Sequence, residues 1–209
     1  MMEDDQIARF CKTCISTSMV QILNASSIKI EEFLNEYKGL NKTAGIYVFW
    51  WSGNDSRFRE SVDKGYLLKG PHKFSDEKQN LVQVEICEEW INHKRYNDRI
   101  CLYVGKTTQL HTRIKNHVKL TTKNIWKKKD GKTLRAGEEF SFGKKPNTVS
   151  QLRIGVERLF KDHSVDLIKK HVQVSFLPLE GNKHAINRFF IEDRLIGQLF
   201  PIFNMDIER

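Results

Sequence analysis

The stretch Cys101 to Val118, CLYVGKTTQLHTRIKNHV, constrains the fold of this chain more than any other. Leu102, Tyr103 and Val104 are strand formers, Gly105 permits a tight turn, and Thr107 or Thr108 is placed to cap a helix starting near Leu110. A buried strand, a glycine turn and a helix are therefore expected in that order. At about 100° per residue, Leu110, Ile114 and Val118 form an apolar stripe, Arg113 and His117 follow one edge of it, and Lys115 and Lys119 point away. Arg113 and His117 are expected at the rim of the core near the strand end, where a bound anion would also meet Tyr103 and Lys106.

Upstream, Gly45-Ile46-Tyr47-Val48-Phe49-Trp50-Trp51 reads as an aromatic strand that ends at the loop signal Ser52-Gly53-Asn54-Asp55. Trp50 and Trp51 are read as core and sheet-face residues, with base stacking as the sharper alternative. Downstream, Val172, Val174 and Phe176 alternate with Gln173 and Ser175, a half-buried strand ending at Pro178 and the third of a sheet. Gly181-Asn182 turns the chain into a helix from Ala185 to Phe200, which Pro201 stops. At the N-terminus, residues 3 to 23 and 28 to 38 read as helices, the second capped by Ser27 and stopped by Gly39.

On the helix from Ala185, the residues Ala185, Phe189, Leu195, Ile196 and Leu199 make an apolar face with Glu192 at its centre. An inward carboxylate loses several kcal/mol of hydration unless a cation or metal meets it. Two partners are open: an ion pair with Arg113 or Arg188, or a hard divalent metal, which prefers oxygen ligands.

Taken in order, Gly45-Ile46-Tyr47, Tyr103-Val104-Gly105, Arg113, His117, Glu192 and Asn204 resemble the GIY-YIG nuclease family. One such tripeptide is expected by chance in roughly one chain in several dozen. Here two stand in order, with an Arg ten residues after Tyr103 and a Glu twelve before an Asn. The resemblance implies an α/β (α+β) fold: a small three-stranded, mainly antiparallel sheet flanked by helices. It also implies hydrolysis of DNA phosphodiesters with Mg2+ or Mn2+, the metal held by Glu192. By the same correspondence Tyr47 orients or deprotonates the attacking water and His117 takes the proton of Tyr47. Arg113 neutralises charge on the phosphate, and Tyr103 and Lys106 hold the phosphate or the water. Gly45, Gly105 and Asn204 are structural residues beside the site.

The chain departs from the family pattern between its two tyrosine strands, where about fifty residues replace a short connection. This insertion, residues 52 to 97, carries strand signals at Tyr66 to Lys69 and Leu81 to Cys87, with a turn at Gly70-Pro71 between them. Trp90 and Ile91 give it something to bury, and it is expected to fold on the sheet edge. A second insertion, residues 119 to 165, begins with a basic tract including Lys119, Lys123, Lys127, Lys128 and Lys129, a hairpin turn at Asp130-Gly131 and a short strand at Phe140 and Phe142. Together with Lys115 these lysines are read as phosphate contacts, each adding to binding regardless of sequence. Thr148 to His163 then reads as a helix capped by Thr148, with Leu152, Val156, Leu159 and Phe160 inward and Gln151, Arg153 and Arg158 outward. The 209 residues are thus expected to form one domain with an N-terminal helical extension over residues 1 to 40.

Lysine and arginine outnumber aspartate and glutamate by 35 to 26, and the sequence pI is about 9.4, which suits a polyanionic partner. No apolar run approaches the roughly 20 residues of a membrane span, and the acidic start MMEDDQIARF has no signal-peptide core, so a cytoplasmic protein is expected. Cys11, Cys14, Cys87 and Cys101 fit no disulfide framework in a chain of this length. Cys11 and Cys14 form a CxxC without a second CxxC or HxxxH; half of a zinc site, a redox pair and two small apolar helix residues all stay open. No G-x-x-x-x-G-K-[ST] loop and no HExxH occurs. Within the family, the chain looks most like a type II restriction endonuclease: a sequence-specific enzyme on double-stranded DNA, acting as a homodimer. The alternatives are a homing or structure-specific repair nuclease and a noncatalytic DNA-binding protein on a nuclease scaffold.

Overall fold

The computed structural model describes residues 6–62, 66–69, 81–93, 96–120, 150–160 and 164–204. Helix α1 (Lys12–Asn24) buries Ile15, Ser18, Ile22 and Leu23. It begins nine residues later than the apolar pattern suggests, because Cys11 is extended and caps it, its Sγ accepting a hydrogen bond from the Cys14 amide at 3.2 Å. Residues 28 to 38 are not one helix. Ile28–Lys29 is a short strand, β1, and α2 (Ile30–Glu36) starts after it without a side-chain cap. The hydroxyl of Ser27 goes instead to Gln173 Oε1 at 2.6 Å, and Gly39 lies within the 3-10 turn Lys38–Lys42. Next come β2 (Gly45–Trp51), α3 (Asp55–Val62), β3 (Tyr66–Lys69), β4 (Leu81–Val84), α4 (Glu88–His93), β5 (Ile100–Thr107) and α5 (Leu110–Val118). After residue 149 follow α6 (Gln151–Phe160), α7 (Ser164–His171), β6 (Val172–Pro178) and α8 (Ala185–Leu199).

The main sheet has four strands in the order β1-β6-β2-β5, all antiparallel, where three were expected; the added strand is β1 at the edge. Its fold class is α+β. Every residue of β2 is buried, because helices cover both faces. One layer holds Tyr47, Phe49 and Trp51 with Phe33, Leu110, Ile114, Leu152 and Ile168; the other holds Ile46, Val48 and Trp50 with Ile15, Ile22, Ile191 and Leu195. Trp50 and Trp51, 0% and 3% exposed, are core residues as read, and neither is open to a base. A bulge interrupts the β2–β5 pairing: Phe49 faces Tyr103 and Trp50 faces Cys101, leaving Leu102 extra. Leu102 and Tyr103 consequently share the first layer, while Cys101 and Val104 share the second.

Among its described residues, the 52 to 97 insertion pairs its strands β3 and β4 with each other rather than with the main sheet, and Leu81 to Cys87 is strand only as far as Val84. It joins the main core through Phe58, Val84, Ile86 and Ile91, while Trp90 Nε1 donates to Phe200 O at 3.0 Å. The Gly70-Pro71 turn, the basic tract from Lys123 to Lys129, the Asp130-Gly131 turn, Phe140, Phe142 and Thr148 lie outside the described residues. Helix α6 is held by Ser150, whose Oγ accepts from the Arg153 amide at 3.3 Å. Arg153 is fully buried, against the outward placement read from the helix pattern. Its Nε donates to Ser164 Oγ at 2.9 Å, and Glu157 Oε1 accepts from the same hydroxyl at 2.7 Å, so the polar head has partners that periodicity alone does not reveal. Gln151 and Arg158 are half-buried. Among the described residues no helix is long and apolar enough to cross a membrane.

Candidate active site

The antiparallel register of β2 and β5 sets Tyr47 opposite Gly105. The Tyr47 ring lies across that glycine: a Cβ there would fall 2.4 Å from the Tyr47 hydroxyl oxygen, 2.5 Å from its Cζ and 3.0 Å from Tyr103 Cε1. Gly105 is therefore inside the strand as a point of close approach, and the tight turn read for it does not form. Gly45 serves a similar purpose at the start of β2, where a Cβ would sit 2.3 Å from Leu177 O and 2.8 Å from Leu110 Cδ1. The bulge turns Tyr103 toward Tyr47, with ring centroids 6.3 Å apart and planes at 26°.

Helix α5 delivers the third ring. Leu110, Ile114 and Val118 are buried as the stripe predicts, and the helix starts at Leu110. Its N-cap is Gln109, without a side-chain cap; Thr107 Oγ1 accepts from the Gln109 amide instead, at 3.0 Å. His117 is 2% exposed, well inside the core where a rim position was expected. Its Nε2 is 2.8 Å from Tyr47 Oη, its Nδ1 is 3.1 Å from Ser150 Oγ, and its ring centroid is 5.0 Å from that of Tyr103. Ser150 was not among the residues read as functional. Its only signal was its place just before the apolar pattern of α6, where Thr148 was preferred.

Burial dominates the electrostatics of these groups. The Tyr47 phenol is pushed up by burial and then by Tyr103, and the charge and hydrogen bonding of Arg113 pull it only part of the way back. Burial likewise raises Tyr103, with Arg113 opposing and Glu192 reinforcing. His117 is lowered to about 3, mainly by burial and further by Arg113. At neutral pH the two phenols are protonated and the imidazole is uncharged. Half-buried Arg113 is thus the positive group that acts on all three rings.

Glu192 approaches from the other layer, over the outer edge of β5. It is not at the centre of the buried face of α8, which consists of Asn187, Arg188, Ile191, Leu195 and Leu199; Phe189 is 55% exposed and Ala185 is also exposed. The side chain of Glu192 sits at the border, 18% exposed. Its cationic partner is neither Arg113 nor Arg188. Oε1 accepts from the Lys106 amide at 3.0 Å and Oε2 pairs with Lys106 Nζ, whereas Arg188 donates to Leu179 O at 2.5 Å. Asn204 covers the same strand edge, accepting from Val104 N at 2.7 Å and donating to Val104 O at 2.8 Å. Phe203 N adds a bond to Leu102 O at 2.9 Å. Side chains and one short segment thus satisfy outward backbone groups that an edge strand leaves open.

The site thus gathers Tyr47, Tyr103, Arg113, His117, Lys106 and Glu192 around the end of the β2–β5 pair, with Gly105 and Asn204 shaping it. Lys115 is exposed on the outer side of α5, and Lys119 closes that helix in the left-handed conformation (φ 38°, ψ 54°). Among the described residues no three His, Cys, Asp or Glu side chains gather as a ready-made metal cage. Glu192 supplies one carboxylate, a donor set that suits Mg2+ where substrate phosphate and water complete the shell; Lys106 Nζ must then yield Oε2. Cys11 is exposed, while half-buried Cys14 has its Sγ 3.5 Å from His184 Nδ1. The chain matches no protein-family model, no curated protein and no solved structure.

Proposed function

We propose that this chain is a metal-dependent endodeoxyribonuclease of the GIY-YIG kind, cutting both strands of DNA at specific sequences as a type II restriction enzyme and acting on its substrate as a homodimer. One observation carries the reading: two phenols, an imidazole and a guanidinium converge at one strand end, and a carboxylate reaches the same place over the strand edge. A protein using these groups only for packing has little reason to keep an arginine against two tyrosines and a histidine.

A phosphodiester bound here would meet Arg113, whose planar fork suits two nonbridging oxygens and the charge that grows on them. With Nδ1 protonated, His117 accepts a hydrogen bond through Nε2 from the Tyr47 hydroxyl 2.8 Å away, which leaves the phenol oxygen lone pairs to orient a water. Neither group is set to exchange that proton at rest, because burial raises the phenol and lowers the imidazole. As the water oxygen bonds to phosphorus and the bond to the leaving oxygen breaks, Tyr47 takes the water's proton while passing its own to His117, whose imidazolium the negative charge building on the phosphate favours. The neutral His117 is oriented through Nδ1 by Ser150. Lys106 supplies a second cation for the phosphate. Glu192 would hold Mg2+ or Mn2+, which when bound would supply Lewis acidity to the phosphate.

The test is incubation of the pure protein with Mg2+ and a long, unmethylated duplex. Discrete fragments are expected, and Glu192→Gln should lose at least about a hundredfold in cleavage rate while still binding DNA. The Lys106–Glu192 pair favours one competing reading, a noncatalytic DNA-binding protein on the same scaffold, in which lysine permanently neutralises the acid. Binding without cleavage in the unaltered protein would establish that reading and refute ours.

A further inference from the structure

Beside the candidate active site, the first turns of α8 expose more aromatic surface than a solvent-facing helix needs. Phe189 is 55% exposed, Phe190 36% and Ile186 36%, and Phe10, 56% exposed, joins them from before α1. Single exposed apolar residues are ordinary, but a contiguous group is informative. These rings are also ordered against one another. Phe10 meets Phe190 edge-on at 5.1 Å, and Phe190 meets Phe189 edge-on at 5.6 Å. Lys106 Nζ lies 5.0 Å from the centroid of Phe189, and the same ammonium pairs with Glu192. Phe189 precedes Glu192 by three residues, a spacing that makes the two neighbours on the surface of α8.

From this juxtaposition we infer that Phe189 is a stacking platform for a nucleobase next to the phosphate at Glu192, with Phe190 and Phe10 bracing the ring. The inference rests on the nuclease reading and adds how the substrate is positioned. Charge argues for this occupant: a patch rimmed by a lysine, in a chain of net charge +9, draws a polyanion. An aromatic face beside a cation is the arrangement that grips a base and its phosphate together, and it does so whatever the base. A nucleotide displaced from the duplex at the cut would find its ring partner already in place.

The test measures affinity for a short oligonucleotide with unpaired bases, in EDTA to prevent cleavage, for the unaltered chain, Phe189→Ser, Phe189→Trp and Lys106→Ala. Phe189→Ser is expected to weaken binding about tenfold with the salt dependence unchanged, and Phe189→Trp to retain affinity and show quenched indole emission on adding DNA. Lys106→Ala should reduce the salt slope by about one. Because Phe189 is exposed, these variants are expected to fold. Affinity of Phe189→Ser within twofold of the unaltered chain would overturn the inference. So would a dimer, present without DNA, that Phe189→Ser converts to monomer, since the patch would then belong to a second copy. Should the unaltered chain cut DNA and Phe189→Ser cut and bind equally well, stacking alone fails; should the unaltered chain neither bind nor cut, the nuclease reading fails with it.

Discussion

Acid should unfold this protein in a way traceable to one residue. His117 titrates near 6.5 in the unfolded chain and at about 3 in the folded one, because burial disfavours its charged form and Arg113 adds to that effect. Its folded-state pKa is depressed, so on acidification the unfolded chain takes up the proton first. Stability is unaffected by this group above about pH 6.5 and drains away between there and about pH 3. At pH 4 the loss spans some 2.5 pH units at about 1.36 kcal/mol each, or roughly 3 kcal/mol relative to neutrality. That is a large share of the 5–15 kcal/mol that holds a typical domain together. The other groups around the imidazole are the Ser150 hydroxyl, the Arg113 guanidinium, and the Tyr47 and Tyr103 phenols, both of which burial raises and so keeps protonated across this window. The assay is urea unfolding from pH 7 to 4 for the unaltered protein and His117→Gln. Carboxylates common to both cancel on subtraction, so the difference in stability should shift by roughly 3 kcal/mol in favour of the variant as pH falls. Two parallel stability curves, or a His117 NMR resonance that titrates near 6.5 in the native protein, would refute the reasoning.

Two further substitutions probe the frame of the site. Gly105→Ala places a methyl 2.4 Å from the Tyr47 hydroxyl oxygen, so we expect a stability loss of about 1–3 kcal/mol and slower cleavage as that hydroxyl leaves His117; denaturant midpoints and initial rates measure both. Asn204→Ala strips partners from both backbone groups of Val104, and hydrogen exchange at the Val104 amide should quicken with a loss of about 1–3 kcal/mol in global stability. Unchanged exchange would show that the asparagine does not hold this edge.

Strands and helices with a single buried stripe were legible because their patterns record which side is covered. Val172 to Pro178 and the helix from Leu110 fall where the periodicity puts them, and Gly45 to Trp51, buried on both faces, falls where its unbroken aromatic and β-branched run puts it. The pattern misled where hydrophobicity and burial parted. On α8, counting Phe189 and Ile196 as inward rotated the face and put Glu192 at its centre, whereas Asn187 and Arg188 occupy buried positions. On α6, Arg153 was read outward from its charge, yet its head meets Ser164. Ser27 and Thr148 were read as caps from local rules. Ser27 instead bonds across 146 residues to Gln173; Ser150 accepts from the Arg153 amide at the start of α6, and Thr148 lies outside the described residues. Of the two partners left open for Glu192, the ion pair with Arg113 or Arg188 does not form: Arg188 is spent on backbone carbonyls, and Lys106 pairs with the carboxylate.

By itself, then, the sequence determined the two glycine-marked strands and the helix that follows the second. All of these depend on near neighbours along the chain. Tertiary structure decided the rest: the bulge at Leu102 that brings Tyr103 to face Tyr47, the hold of Ser150 on His117, the pairing of Lys106 with Glu192, and the rings left outside on α8. These contacts join residues far apart in sequence, and their geometry follows from how two helical layers close over one sheet. No local pattern encodes that closure, because periodicity tells which face of an element is apolar but not which element will meet it.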